Sequence, residues 1–91
     1  MKTVIIQIGN SDNKLTQKEW SEFVRCVDIY SSVTDTHFRG VSNSDAPWQN
    51  ACWVLEVEDY NYDGLKRTIG NLESEFKQDS IAWTEGITKF I

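Results

Sequence analysis

Apolar and polar positions alternate along residues 3–8, where Val4, Ile6 and Ile8 share one side. β-branched residues at a period of two predict a strand. Because Ile5 makes the other side partly apolar as well, we expect this strand to be central in its sheet or covered on both sides. A run of turn-forming residues at 9–13 then ends the strand.

A strong helix-start signal follows this turn. Thr16 and Glu19 have the spacing of a capping box, and Leu15 and Trp20 have that of a hydrophobic staple. The apolar positions that come next recur at helical spacing: Trp20, Phe23, Val24, Val27 and Tyr30. These signals predict a helix over about 17–31.

Two further strands are predicted at 36–41 and 51–57, joined by a polar connection that holds the only proline. Simple alternation places Phe38 toward the core. It places three other residues of this strand on the opposite side: His37, Arg39 and Val41. In the third strand, the inward set is Trp53, Leu55 and Val57, and the outward set is Cys52, Val54 and Glu56.

The last third of the chain begins with an acidic, tyrosine-bearing segment at 58–63, which we expect to be a loop. A second helix is predicted to run to about Gln78. Its apolar positions recur at steps of four, three and four: Leu65, Ile69, Leu72 and Phe76. A final strand is predicted at 81–84. Residues 87–91 either extend it or form another strand.

The order strand–helix–strand–strand–helix–strand predicts an α+β two-layer sandwich. This order resembles the ferredoxin-like architecture, in which a four-stranded antiparallel sheet carries both helices on one face. We expect one domain spanning 1–91. The other sheet face is then open, with Ile5 and Val54 at its centre and the remaining members around them: Gln7, His37, Arg39, Cys52, Glu56, Ala82 and Thr84. Open faces of this kind usually meet a partner.

Charge and composition narrow the function classes. Nine basic and 14 acidic residues give a net charge of −5, which opposes binding to nucleic acid or an anionic membrane. No apolar stretch approaches the roughly 20 residues that span a bilayer. No secretion signal is visible, so we expect a cytoplasmic protein with reduced thiols.

The best candidate recognition segment is the connection at 42–50. Trp48 follows Pro47 outside any periodic core pattern, and Gln49 and Asn50 offer donors and acceptors. The alternative is that Trp48 folds back as a lid on the small core. Further candidates for ligand or partner contact are His37, Arg39 and Asn10. His37 and Arg39 could bind an anion or pair with Glu56 instead.

Signals for catalysis or metal binding are weak. His37 is the only histidine, and Cys26 and Cys52 lack zinc-site spacing. Residues 59–64 match the first half of a calcium loop, with Asp59, Asn61 and Asp63 as weak metal candidates, but the twelfth position is glycine. An acidic turn before a helix is the simpler interpretation, and no cofactor is expected.

The sequence therefore favours a small non-enzymatic binding protein that acts through the open sheet face and the 42–50 connection. Its partner is another protein or a second copy of the chain, and self-association as a homodimer is the favoured form. The alternative is an inhibitor of phage or mobile-element type, which sequesters a small anionic ligand such as a nucleotide or blocks a host protein. A small enzyme built around His37 is the least favoured hypothesis.

Overall fold

The computed structural model describes residues 1–10, 14–43 and 47–91. Its elements follow the predicted order: β1 (Lys2–Gly9), α1 (Gln17–Ser31), β2 (Asp35–Val41), β3 (Asn50–Val57), α2 (Asp59–Glu75) and β4 (Ala82–Gly86). The four strands form one antiparallel sheet in the order β2-β3-β1-β4. This is the α+β two-layer sandwich expected from the sequence, and it is consistent with a ferredoxin-like fold.

The core lies between the sheet and the two helices. Every second residue of β1 and β3 is buried, and Trp53 at the centre is 1% exposed. Phe23 of α1 stacks on Phe76 at the end of α2, with ring centroids 4.7 Å apart. Aromatic rings bury much area per residue, which suits a core this thin.

Helix α1 begins as predicted because its cap is complete. The Glu19 amide donates to the Thr16 hydroxyl at 3.1 Å, and the Thr16 amide donates to the Glu19 carboxylate at 3.0 Å. Leu15 and Trp20, the staple pair, are both buried in the core cluster. Neither helix in the described part of the chain combines the length and apolar character needed to cross a membrane.

The predicted facing of β2 is wrong, because the strand contains a bulge. Its pairing with β3 shifts between Thr36 and Phe38, so His37 is an extra residue without a position in the ladder. One added residue moves all later side chains to the opposite face. Phe38 therefore lies on the open face at 58% exposure. Arg39 and Val41 lie on the side of the helices.

The predicted loop at 58–63 is also wrong, since α2 already begins at Asp59. Tyr62 stands three residues before Leu65 and packs against the core, so the apolar stripe of the helix extends back to it. The helix ends earlier than predicted. Lys77 has a left-handed φ of 55°, and the Gln78 amide donates to the Glu73 carbonyl, a pattern that closes helices.

Residues 87–91, which leave β4 beside the open face, have no regular structure. The Thr88 hydroxyl contacts the Thr3 hydroxyl on β1. The three apolar side chains of this C-terminal tail are all strongly exposed: Ile87, Phe90 and Ile91.

Candidate functional site

A groove of about 720 Å³ runs between α1 and the end of the β2–β3 hairpin. We call it the Trp48 groove. Helix α1 contributes Gln17, Trp20, Arg25 and Asp28 to its lining, and the hairpin side contributes Arg39 and Trp48. Its volume lies within the range of roughly 300–1,000 Å³ that is typical of small-molecule sites.

The two sides of the groove are joined by Arg39, which the bulge turns toward α1. Its Nε and Nη2 atoms donate to the two carboxylate oxygens of Asp28, at 3.1 and 3.0 Å. The indole Nε1 of Trp53 donates to the same carboxylate at 2.7 Å. Asp28 therefore anchors the arginine from the core side, and the bidentate pairing fixes the plane of the guanidinium.

The described lining carries more positive than negative charge. Arg25 and Arg39 face one carboxylate, that of Asp28, which already accepts three hydrogen bonds. Arg25 is exposed and makes no hydrogen bond or ion pair within the described residues. The described lining of the groove thus carries a net positive charge in a chain whose overall net charge is −5.

Trp48 forms one wall of the groove and is 49% exposed. About half of its side chain is therefore covered by the protein, and the other half faces solvent. The Asn50 side chain donates to the Trp48 carbonyl at 3.3 Å. Asn50 itself begins β3 and is exposed. Its carbonyl accepts from the Ser42 amide and its amide donates to the Ser42 hydroxyl, so the two residues join the ends of the connection between β2 and β3.

Amide side chains brace the floor of the groove. Gln49 Nε2 donates to Gln17 Oε1 at 2.8 Å, and Gln17 Nε2 donates back to Gln49 Oε1 at 3.3 Å. Asn10 Nδ2 donates to the same Gln49 oxygen at 3.1 Å and to the Leu15 carbonyl at 3.1 Å. Asn10 is 2% exposed, so it supports Gln49 from inside the protein and does not reach a ligand.

A second surface lies on the opposite side of the sheet. Its central row runs across all four strands in the order Phe38, Val54, Ile5, Thr84. The next row is Gly40, Cys52, Gln7, Ala82. A Cβ added to Gly40 would lie 2.8 Å from the Phe38 ring, so the ring leans over this glycine. Ile5 and Val54 are only partly covered, which leaves the face open as predicted.

His37 belongs to this open face and is separated from Arg39 by the sheet. Its Nε2 lies 3.4 Å from the Glu56 carboxylate. The Thr3 hydroxyl donates to the same carboxylate at 2.5 Å. This bond, the Thr88 hydroxyl and His37 together lower the pKa of Glu56. His37 and Arg39 therefore cannot clamp one anion together.

The candidate metal residues lie apart from both surfaces, and of the two cysteines only Cys52 lies on the open face. Asp59, Asn61 and Asp63 lie on the first turns of α2, where Asp59 pairs with the amino group of Met1 at 2.9 Å and Asn61 donates to the Val33 carbonyl. Among the described residues, no three His, Cys, Asp or Glu side chains are grouped to hold a metal. Both cysteines are free, and burial raises the pKa of the Cys26 thiol.

Of the six predicted binding residues, Arg39, Trp48 and Gln49 converge on one groove. The contribution of α1 to the groove is not predicted from the sequence alone. Gln17, Ser21, Arg25 and Asp28 recur at intervals of three and four, which is a polar helical stripe beside the apolar one. A scan of the chain against protein-family models and a search of curated proteins found no match.

Proposed function

We propose that this chain is a non-enzymatic binding protein that self-associates through its open sheet face. The observation that carries the proposal is the uncharged row of Phe38, Val54 and Ile5 on a face with both helices behind it. Apolar sheet faces of this kind are typically covered by another layer. The occupant we infer is a second copy of the chain.

The charge distribution favours this occupant. Two copies of a chain with net charge −5 repel each other overall. The two central rows of the open face contain no charged side chain, and the acidic residues Asp35 and Glu56 lie at their end together with His37. This face is therefore where two copies approach each other with little repulsion.

The shape of the central row supports a symmetric arrangement. Phe38 projects at one edge of the sheet, while the other edge carries the smaller Thr84 and Ala82. A two-fold axis parallel to the strands would place Phe38 of each copy over Thr84 and Ala82 of the other. Such an isologous contact buries each large ring against a low part of the partner surface.

The available area fits a dimer only if the C-terminal tail takes part. Four strands about 4.8 Å apart, with about three outward residues each, give the open face roughly 400 Å². Standard interfaces bury roughly 800 Å² per partner. The exposed side chains of Ile87, Phe90 and Ile91 lie on the segment that leaves β4 beside this face. They supply most of the remaining area.

The test is light scattering coupled to size exclusion over a wide concentration range. We expect the wild type to be dimeric and Phe38→Asp to be monomeric with unchanged circular dichroism. The matched control is Tyr60→Asp, because Tyr60 is an aromatic residue on α2 that is 84% exposed. A wild-type monomer at every concentration, or a dimer broken by Tyr60→Asp and not by Phe38→Asp, would overturn the proposal.

A second readout uses the two cysteines. Cys52 lies on the open face and Cys26 lies on the flank of α1. Dimerisation should slow maleimide labelling of Cys52 as the protein concentration rises, while labelling of Cys26 stays constant.

We include a cytoplasmic location in the proposal, since a reducing compartment keeps both thiols free.

A further inference from the structure

We propose that the Trp48 groove binds a small molecule that joins an anionic group to a flat ring, with nucleoside monophosphates as the simplest members of the class. The groove lies on the helix side of the sheet, so this proposal is independent of self-association through the open face. Its failure would leave the dimer proposal untouched, and the reverse also holds.

The anionic half of the ligand is assigned from the two arginines. Arg25 makes no hydrogen bond or ion pair within the described residues, and it lines the groove together with Arg39. Two hydrogen bonds to Asp28 fix the orientation of the planar Arg39 guanidinium. These bonds use only its Nε and Nη2 atoms. Planar guanidinium groups bind phosphate oxygens through paired N–H donors.

Asp28 neutralises only one of the two arginines. Its two oxygens already accept hydrogen bonds from Arg39 and from the Trp53 indole, and the carboxylate is anchored against the core. One carboxylate against two arginines leaves the described lining with a single excess positive charge. In an acidic protein this local excess directs an anion to the groove.

The flat half of the ligand is assigned from Trp48. Half of its surface is exposed, it follows Pro47, and both residues line the groove. An indole face is a good platform for stacking a nucleobase. The paired amides of Gln17 and Gln49 lie in the same groove, held in place by buried Asn10. They could bind the edge of a ring through their remaining donors and acceptors.

The experiment is isothermal titration of the full chain with AMP and GMP, compared with inorganic phosphate alone and adenosine alone. We expect saturable binding of at least one monophosphate, at least tenfold tighter than either fragment. The affinity should fall as salt is added, because the charges of the groove are exposed to solvent. Binding should also raise the melting temperature by mass action.

Two variants and one control test the assignment. Arg25→Gln and Trp48→Ala should each weaken binding by about tenfold or more, with melting temperatures of the free proteins close to wild type. The control is Arg67→Gln, an exposed arginine on α2 outside the groove. Absence of binding to both monophosphates overturns the proposal. So does binding as tight to phosphate alone, or binding that Arg67→Gln weakens as much as Arg25→Gln.

Discussion

Asn10 offers a sharp test of how the groove is supported. Its side chain links the end of β1 to Leu15, which lies just before α1. The Leu15 amide donates to Asn10 Oδ1 at 3.1 Å, and Asn10 Nδ2 donates to the Leu15 carbonyl and to Gln49 Oε1. In Asn10→Ala, all three side-chain hydrogen bonds are lost and the Leu15 amide is left buried without its partner.

The expected loss follows from these contacts. An intramolecular hydrogen bond contributes about 1 kcal/mol net, and an unpaired buried polar group costs about 1–3 kcal/mol. We therefore expect Asn10→Ala to lower the free energy of unfolding by about 3 kcal/mol. A domain of this length has only about 5–14 kcal/mol in total. The melting temperature should fall by about 12–24 °C.

The assay is urea unfolding followed by tryptophan fluorescence. Asn10→Asp is the companion variant, because it keeps the volume and removes both donated hydrogen bonds. Asn61→Ala is the control, since Asn61 donates one hydrogen bond of 3.4 Å at the surface and should change stability by less than about 0.5 kcal/mol. If Asn10→Ala lowers the free energy of unfolding by no more than this control, then the Asn10 amide does not stabilise the connection between β1 and α1, and the reasoning is wrong.

Two further predictions concern the helix cap and the carboxylate of Glu56. Thr16→Ala removes the hydroxyl that accepts from the Glu19 amide, so it should lower the free energy of unfolding in urea by about 1 kcal/mol. The control Lys18→Ala changes an exposed residue and should be near neutral. Equal effects of the two substitutions would refute the role of the cap. The pKa of Glu56 is lowered in the native state, first by the hydroxyl of Thr3, so its ionised form stabilises the fold above the ordinary value of about 4.3. That contribution is lost as the pH falls through the lowered native pKa. We expect Glu56→Gln to be less stable than wild type at pH 7 and the gap to close as the pH falls through the lowered native pKa. A gap that does not change with pH would contradict this.

The elements that could be predicted from sequence are those whose signals are local. The capping box of Thr16 and Glu19 marks the start of α1 within the chain itself, and the alternation around Ile6 marks β1. The start of α2 was missed because the acidic spacing of Asp59 and Asp63 was interpreted as a loop. Tyr62, three residues before Leu65, carried the helical signal.

The site could be predicted only in part, because its geometry depends on contacts between distant segments. Trp48 and Gln49 were identified from the Pro47 context. The facing of Arg39 depends on a bulge that appears only when β2 is aligned with β3. Arg25 and Asp28 have ordinary helical spacing, and their role becomes visible once the hairpin is placed beside α1.

The bulge at His37 also bears on how copies of this chain can meet. Both outer strands of the sheet, β2 and β4, offer unpaired backbone groups that could recruit a further strand. The extra residue breaks the regular repeat of β2, and β4 is only five residues long. Neither edge strand is therefore a good template for the addition of further strands. Growth into filaments by strand addition is disfavoured, which agrees with the closed dimer that we propose for the open face.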